Sequence, residues 1–168
     1  DYITVQSSNM AGCPAEGVQV NPPLHAAAMP KLVGSGPPVI SVNVRAHHWK
    51  FVCLDVTNDQ KTYSAALIAT ANNGTSGGYA TLEELLDTHD ITFDRLFVHN
   101  PEVTAENLHP QALHIYAGRG IGLGGVNLTV KNSWIGSFAG YFPGTTTLTD
   151  SYGIYPGLGG PMLIENNR

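Results

Sequence analysis

Charged residues are scarce in this sequence. They make up 12% of its 168 residues, against about 25% in an average soluble domain. The surface must therefore be solvated largely by neutral polar side chains, a balance that is typical of secreted proteins, fibre subunits and capsid domains. It is uncommon in cytosolic enzymes. We therefore expect a protein that is extracellular or lies on a virion surface.

Basic clusters and long apolar runs are also missing. The eight Lys and Arg residues are scattered along a chain whose net charge is −5. Binding to nucleic-acid phosphates needs a concentrated basic surface, so we expect no nucleic-acid partner. No stretch approaches the roughly 18 consecutive apolar residues of a membrane helix, so we expect no membrane span.

Motifs that carry chemistry are weak or absent. There is no G-x-x-x-x-G-K-[ST] phosphate loop. Gly120, Gly122 and Gly125 match G-x-G-x-x-G, but residues 126–130 predict a strand and not the helix that a dinucleotide site needs. We interpret residues 118–125 as a flexible loop at a turn or barrel corner. The sequence thus favours a protein without enzymatic activity and without a cofactor.

The sequence has only two cysteines, Cys13 and Cys53. A disulfide between them would close a loop of about 40 residues and contribute roughly 3–4 kcal/mol. The alternative is a buried thiol at Cys53 and a free loop thiol at Cys13. Two Asn-x-Thr sequons, at Asn73 and Asn127, are candidate glycosylation sites in a secretory pathway.

The longest apolar-rich stretch, residues 38–56, predicts the central strand. Even-numbered residues from Ile40 to Ala46 are apolar and alternate with polar ones, which indicates one buried face. From Trp49 onward the alternation loses its phase. Either the strand is then buried on both faces, or a bulge at His47–His48 shifts its register by one residue. We favour burial on both faces, under the second layer of a sandwich.

The rest of the chain predicts short strands around this one. Residues 57–60 have turn chemistry, and residues 61–71 are expected to return as the second strand of an antiparallel hairpin. Thr81 and Glu84 form a capping box that predicts one short helix. Turn signals every 8–12 residues or so predict an all-β fold, an antiparallel β-sandwich or jelly-roll-like domain spanning residues 38–168.

Residues 1–37 differ from the rest in composition. They are rich in Pro, Gly and Ala and, beyond a short edge strand at the start, have no periodicity. Their apolar residues disfavour a free, solvated linker. We interpret the segment as a long extended N-terminal arm that packs on its own domain or on a neighbouring subunit.

Seven histidines raise the possibility of a metal site. Adjacent His47 and His48 point to opposite faces of a strand and cannot both ligate one ion without a bulge. His99, His109 and His114 would form a metal site if two strands and a loop converge, although they lack the close spacing of recognised zinc motifs. The alternative is that the histidines cap loops or lie at a subunit interface, which would then respond to pH. The densest cluster of acids and histidine comprises Asp87, His89, Asp90 and Asp94.

Three functional hypotheses follow. The first is a non-enzymatic assembly subunit, such as a virion coat or protruding domain or an extracellular fibre subunit, whose partners are other copies of itself or other subunits. The second is a secreted carbohydrate-binding module that uses aromatic side chains near glycine-rich loops, namely Tyr141, Tyr152 and Tyr155. The third is a metal-dependent or hydrolytic enzyme built on His99, His109 and His114.

Overall fold

Strands dominate the part of the chain that the structure describes. The computed structural model describes residues 1–35, 38–59, 66–71, 80–101, 118–136, 138, 140–141, 148–149 and 152–168. The strands are β1 (Ile3–Gln6), β2 (Lys31–Gly34), β3 (Ile40–Val42), β4 (His47–Val52), β5 (Asp55–Asn58), β6 (Ile68–Thr70), β7 (His89–Asp94), β8 (Phe97–His99), β9 (Arg119–Lys131), β10 (Trp134–Gly136), β11 (Gly140–Tyr141), β12 (Leu148–Thr149), β13 (Tyr152–Gly159) and β14 (Met162–Glu165). The helices are α1 (Pro22–His25), α2 (Leu82–Leu86) and two 3-10 turns, Met10–Gly12 and Ala26–Ala28.

The two larger sheets are parallel throughout. The eight-stranded sheet follows the order β1-β4-β7-β9-β6-β3, with β13 and β14 also paired to β9, and the four-stranded sheet follows the order β10-β8-β5-β2. Every pair within them is parallel. In the described ranges, antiparallel pairing is confined to β11 and β12. The all-parallel sheets curl around one core.

Strand β9 shows how the chain winds. Its first half pairs with β6 and β13, and its second half pairs with β7 and β14. The sheets therefore present three faces. The first face contains β1, β4, β7, the second half of β9, and β14; the second face contains β2, β5, β8 and β10; the third face contains β3, β6, the first half of β9, and β13. The chain visits the faces in this order, and successive coils stack as in a solenoid.

This arrangement shows that the prediction of an antiparallel β-sandwich or jelly roll was wrong. After β5 the chain does not reverse through a hairpin. It reaches β6, which pairs in parallel with β3 and β9. Parallel neighbours require a crossover connection rather than a tight turn. Here each crossover consists of the rest of one coil, that is, the part of the chain that passes through the other two faces before it returns.

The single central strand predicted over residues 38–56 is divided into three. Strands β3, β4 and β5 lie on three different faces, and non-glycine residues with positive φ bend the chain between or within them. These are Arg45 (φ 65°), His48 (φ 60°) and Cys53 (φ 56°). The loss of phase near Trp49 thus comes from the left-handed residue at His48 and the next corner, and not from a second sandwich layer.

A column of left-handed residues forms the corner between the first and second faces. Cys53, Arg95, Asn132 and Asn166 directly follow register-matched strand ends in successive coils, and their φ angles are 56°, 54°, 54° and 48°. The side-chain amide of Asn132 donates to Asp94 Oδ1 at 2.9 Å, and the amide of Asn166 donates to Asn132 Oδ1 at 2.7 Å. Asn tolerates the left-handed region better than most residues, and this ladder satisfies its buried polar groups.

The main core lies inside the coils. Apolar side chains of the three faces meet there and are almost fully buried: Val56, Ile68, Ile91, Phe93, Val98, Ile121, Leu128 and Val130. On the first face they form register columns, for example Phe51–Phe93–Val130. Apolar burial of this kind contributes about 25 cal/mol per Å², so the inward columns supply the main drive for stacking.

The N-terminal segment packs on its own domain. It supplies β1 to the first face and β2 to the second face. Between these strands, Val20 and Met29 form a second apolar cluster with Val52 and Cys53 of the coil. The structure links Cys13 to Cys53 through a disulfide, which ties the segment to the corner between the first and second faces.

The short helix has the predicted N-terminus. The Thr81 hydroxyl accepts the Glu84 N–H, and the Glu84 carboxylate accepts the Thr81 N–H at 2.9 Å, so the capping box is confirmed. The hydrogen bonds from the Thr81 backbone N–H and then its hydroxyl hold the pKa of Glu84 below its usual value. No helix in the described ranges combines the length and hydropathy needed to cross a membrane.

Residues 119–125 of the glycine-rich stretch belong to β9 and do not form the predicted loop. The glycines are required by close approach of neighbouring backbone. A Cβ at Gly120 would lie 2.5 Å from the carbonyl oxygen of Gly153, in a neighbouring coil. Gly125 has φ 126°, and a Cβ there would lie 2.4 Å from the Thr88 carbonyl oxygen. Gly125 thus forms the corner between the third and first faces inside the continuous strand β9.

We expect the Asn132 ladder to contribute measurably to stability. Asn132→Gly removes both side-chain hydrogen bonds and should lower the free energy of unfolding by about 1–3 kcal/mol. Asn132→Ala loses the same bonds but keeps a Cβ in the left-handed region, so it should be about 1 kcal/mol less stable than Asn132→Gly. Urea denaturation of the three proteins measures both differences. Equal stability of the two variants would contradict the left-handed corner.

Candidate functional site

A polar column lies at the corner where the chain enters the first face. His48, Asp90 and Asn127 occupy equivalent positions in three successive coils, between register partners His47–His89–Val126 and Trp49–Ile91–Leu128. Their φ angles are 60°, 54° and 54°. Left-handed backbone interrupts the alternation of side chains along a strand, so adjacent His47 and His48 come together here instead of pointing to opposite faces.

The carboxylate of Asp90 lies at the centre of this column. His89 Nδ1–H donates to Asp90 Oδ2 at 2.8 Å, and the amide of Asn127 donates to Asp90 Oδ1. His48 Nε2 lies 3.6 Å from Asp90 Oδ2. His48 Nδ1 lies 2.8 Å from His47 Nδ1, so one of these two nitrogens donates to the other.

Ring contacts fix the imidazoles. The His47 ring stacks on the His89 ring, with centroids 5.0 Å apart and planes 7° apart. Tyr2 contacts His48 edge-on at 5.2 Å, and the ammonium of Lys50 lies 4.4 Å from the centre of the Tyr2 ring. The histidines are therefore held by neighbours on both sides while the cluster remains partly open to solvent.

The electrostatics of the column favour an ionised carboxylate. The hydrogen bond from His89 lowers the pKa of Asp90 below its usual value, partial burial opposes this, and the hydrogen bond from Asn127 and the nearby His48 lower the pKa further. A carboxylate between imidazoles can exchange protons with them or share a metal ion with them. His48, His89 and Asp90 each offer a ligand atom, and these atoms all lie within 4.8 Å of one another.

A second cluster lies where the third face begins. Arg119 starts β9 and is the register partner of Tyr152, which starts β13. The guanidinium carbon of Arg119 lies 4.2 Å from the centre of the Tyr155 ring and 6.0 Å from that of Tyr152. The two tyrosine rings are 5.5 Å apart and tilted by 51°. This is a cation–π arrangement with an aromatic surface beside it.

A third cluster lies on the second face. His99 Nε2–H donates to Asp55 Oδ1 at 3.0 Å, and its Nδ1 lies 2.6 Å from the Asn100 carbonyl oxygen. Lys31 Nζ lies 3.6 Å from the other Asp55 oxygen. Both ring nitrogens of His99 thus face oxygen atoms of the protein.

The structure reaches only some of the residues that the sequence singled out. His109, His114 and Asn73 lie outside the described residues, as does the side chain of Tyr141. The metal triad of His99, His109 and His114, and the enzyme hypothesis built on it, therefore stay predictions. Tyr152 and Tyr155 come together as described above. Asn127 is exposed, but the amide nitrogen to which a glycan would be attached donates to Asp90.

Sequence reasoning missed the polar column and the part played by Arg119. The cluster of acids and histidine around His89 was one signal for the column, but nothing linked it to His47–His48. The link is the fold register, which stacks segments more than 40 residues apart in sequence. Arg119 was read as part of a flexible loop, and its pairing with Tyr152 has the same origin.

Comparisons of the chain with protein-family models, with curated proteins and with solved structures found no match.

Proposed function

We propose that this protein is an extracellular carbohydrate-binding protein that recognises an acidic saccharide through Arg119, Tyr152 and Tyr155. The observation that carries the proposal is the placement of the Arg119 guanidinium over the Tyr155 ring and next to Tyr152. The three side chains come from two adjacent parallel strands. They therefore have a rigid support.

The chemistry of the cluster suits a sugar that carries a carboxylate. Tyrosine rings offer flat apolar faces and a polar hydroxyl, a combination suited to surfaces that are partly wet. The guanidinium group binds carboxylates through two parallel N–H donors. In the described ranges no protein carboxylate forms an ion pair with Arg119. Tyr152 as a residue is 38% exposed, so a ligand has access to it.

Two further observations support the extracellular setting. The disulfide between Cys13 and Cys53 is of a kind that persists in oxidising compartments. The low fraction of charged residues, 12%, leaves a neutral polar surface, a balance that is typical of secreted proteins.

The test is calorimetric titration with an oligosaccharide of uronic acids and with the neutral oligosaccharide of the same linkage. We expect the wild type to bind the acidic ligand more tightly. Arg119→Gln should weaken acidic binding by about tenfold or more, since a charge-assisted hydrogen bond contributes about 1.5–3 kcal/mol. Tyr152→Ala should weaken it by roughly two- to tenfold through loss of the aromatic contact.

Tyr2→Ala is the matched control, because Tyr2 is similarly exposed, at 43%, and also contacts a cation, Lys50. Tyr2 precedes β1 and contacts His48 of the polar column, so its substitution should leave the affinity unchanged. Equal losses in Tyr2→Ala and Tyr152→Ala, or no binding of either oligosaccharide by the wild type, would contradict the proposal.

A second candidate is an assembly subunit whose copies stack head to tail. A specific observation favours it: the outermost strands of the first face, β1 and β14, both expose apolar side chains. Ile3 and Val5 are 54% and 38% exposed, and Leu163 and Ile164 are 49% and 44% exposed. Ile3, Val5 and Ile164 continue the inward columns of the face. At each end of the stack of coils, apolar side chains of these columns are therefore left without a covering coil.

The two ends are complementary in direction and pattern. A parallel pair between β14 of one copy and β1 of the next would continue both the hydrogen bonds and the apolar columns. A cavity of about 440 Å³ beside β3, lined by Ile40, Val42, Trp49 and Phe51 among others, opens near the β1 end. A head-to-tail contact builds a filament when the rotation between copies does not close a ring.

Sedimentation at rising protein concentration tests the assembly candidate. We expect the average mass to increase with concentration and Ile164→Lys to suppress the increase, because a charge on an edge strand blocks pairing. Leu82→Lys is the control, since Leu82 is exposed at 72% but lies on α2. A strictly monomeric wild type, or equal effects of the two lysine variants, would exclude stacking.

A further inference from the structure

The polar column at the entrance to the first face has a geometry that the proposed functions do not use. We propose that His48 Nε2, His89 Nδ1 and Asp90 Oδ2 bind a divalent transition-metal ion such as Zn²⁺, with a fourth position open to water or a ligand. Two imidazoles and one carboxylate with an open position form a ligand set that zinc accepts.

The separations between the ligand atoms fit one ion after small adjustments. Donor atoms at zinc distances of 2.0–2.2 Å in a tetrahedron lie about 3.3–3.6 Å from one another. His48 Nε2 and Asp90 Oδ2 are 3.6 Å apart, and one ligand atom from each of the three residues lies within 4.8 Å of the other two. His89 Nδ1 is 2.8 Å from Asp90 Oδ2 because the two share a proton. The metal would displace this proton, which leaves to solvent.

The hydrogen bonds around the ligands also favour binding of a metal ion. A histidine that binds metal through one nitrogen usually hydrogen-bonds through the other. His48 Nδ1 has such a partner in His47 Nδ1, at 2.8 Å, and a proton on His48 Nδ1 leaves the lone pair of Nε2 for the ion. The amide of Asn127 holds Asp90 Oδ1, so Oδ2 remains for the ion.

The backbone gives the site rigidity. His48 and Asp90 have positive φ angles at matching positions of adjacent coils. A histidine and an aspartate in the left-handed region are uncommon, and here this conformation brings side chains of two coils to the same point. The His47 ring stacked on His89 fixes the plane of that ligand. Lys50 is held over the Tyr2 ring.

The experiment titrates the full chain with Zn²⁺ by calorimetry and with Co²⁺ by visible absorption. We expect one ion per chain and the d–d bands of a tetrahedral Co²⁺ site. His48→Gly keeps a residue that tolerates positive φ, and His89→Ala removes the second imidazole. Loss of a residue that only hydrogen-bonds to a metal ligand typically lowers the metal affinity about 10- to 100-fold. Each of these two variants removes a ligand itself and should lower the affinity by more than that.

Two further variants define the outcome. His25→Ala is the control, because His25 lies at the end of α1, where it accepts the Asn21 N–H at 2.9 Å, and is not one of the clustered ligands. This variant should bind Zn²⁺ like the wild type. Asn127→Gly tests Asn127 as a positioning residue and should lower the affinity without changing the stoichiometry. The far-ultraviolet circular dichroism of each variant shows whether it is folded.

No binding of Zn²⁺ or Co²⁺ by the wild type would overturn the proposal, and so would equal losses in His25→Ala and His48→Gly. If a histidine variant does not fold, diethyl pyrocarbonate labelling of the wild type replaces it. Zn²⁺ should then protect His48 and His89 but not His25. Uniform labelling of the three with and without Zn²⁺ would also overturn the assignment.

Discussion

Parallel hydrogen bonding between successive coils is the constraint on which the rest of this structure depends. It places each residue beside its register partner in the next coil, and neighbouring strands lie about 4.8 Å apart. Side chains therefore form columns. The columns that point inward, such as Phe51–Phe93–Val130, are apolar and make the core. The corners between faces must repeat in the same register, because otherwise the columns would not remain aligned.

The corners are formed by residues with positive φ, and this has two consequences. At the exit from the first face, Asn166 donates to Asn132, and Asn132 in turn donates to Asp94. At its entrance, the same kind of backbone at His48 and Asp90 projects two polar side chains to one point outside the coil. A corner that serves the fold thus also gathers functional groups. Arg119 and Tyr152 come together in the same way, as register partners at the start of the third face.

Several features could be predicted from the sequence because they depend on near neighbours. The capping box at Thr81 and the edge strand β1 are of this kind. The parallel topology was missed because its signal is a repeat of uneven length. Register partners along Ile3–Trp49–Ile91–Leu128–Met162 are separated by 46, 42, 37 and 34 residues, so no fixed period is visible.

The corner residues concealed the repeat further. Cys53, Arg95 and Asn132 have one backbone conformation but no common side-chain chemistry, so the sequence around them resembles an ordinary strand. Glycines in β9 resemble a loop, although close coil contacts require them. The clusters themselves follow from the register, so they became visible only with the fold. Tyr152 and Tyr155 were found because they lie near each other in sequence, whereas His48 and Asp90 do not.

The parallel register between neighbouring coils is the central claim, and paired cysteine substitutions test it most directly. Thr92 and Thr129 are register partners in adjacent coils, whereas Thr4 lies two strands from Thr92, across Lys50. Adjacent parallel strands bring the α-carbons within the about 4.4–6.8 Å range of a disulfide, and strands two apart do not. Mass spectrometry after mild oxidation should find the Thr92→Cys/Thr129→Cys crosslink and none in Thr4→Cys/Thr92→Cys. The reverse result, or equal crosslinking in both, would contradict the stacked parallel coils.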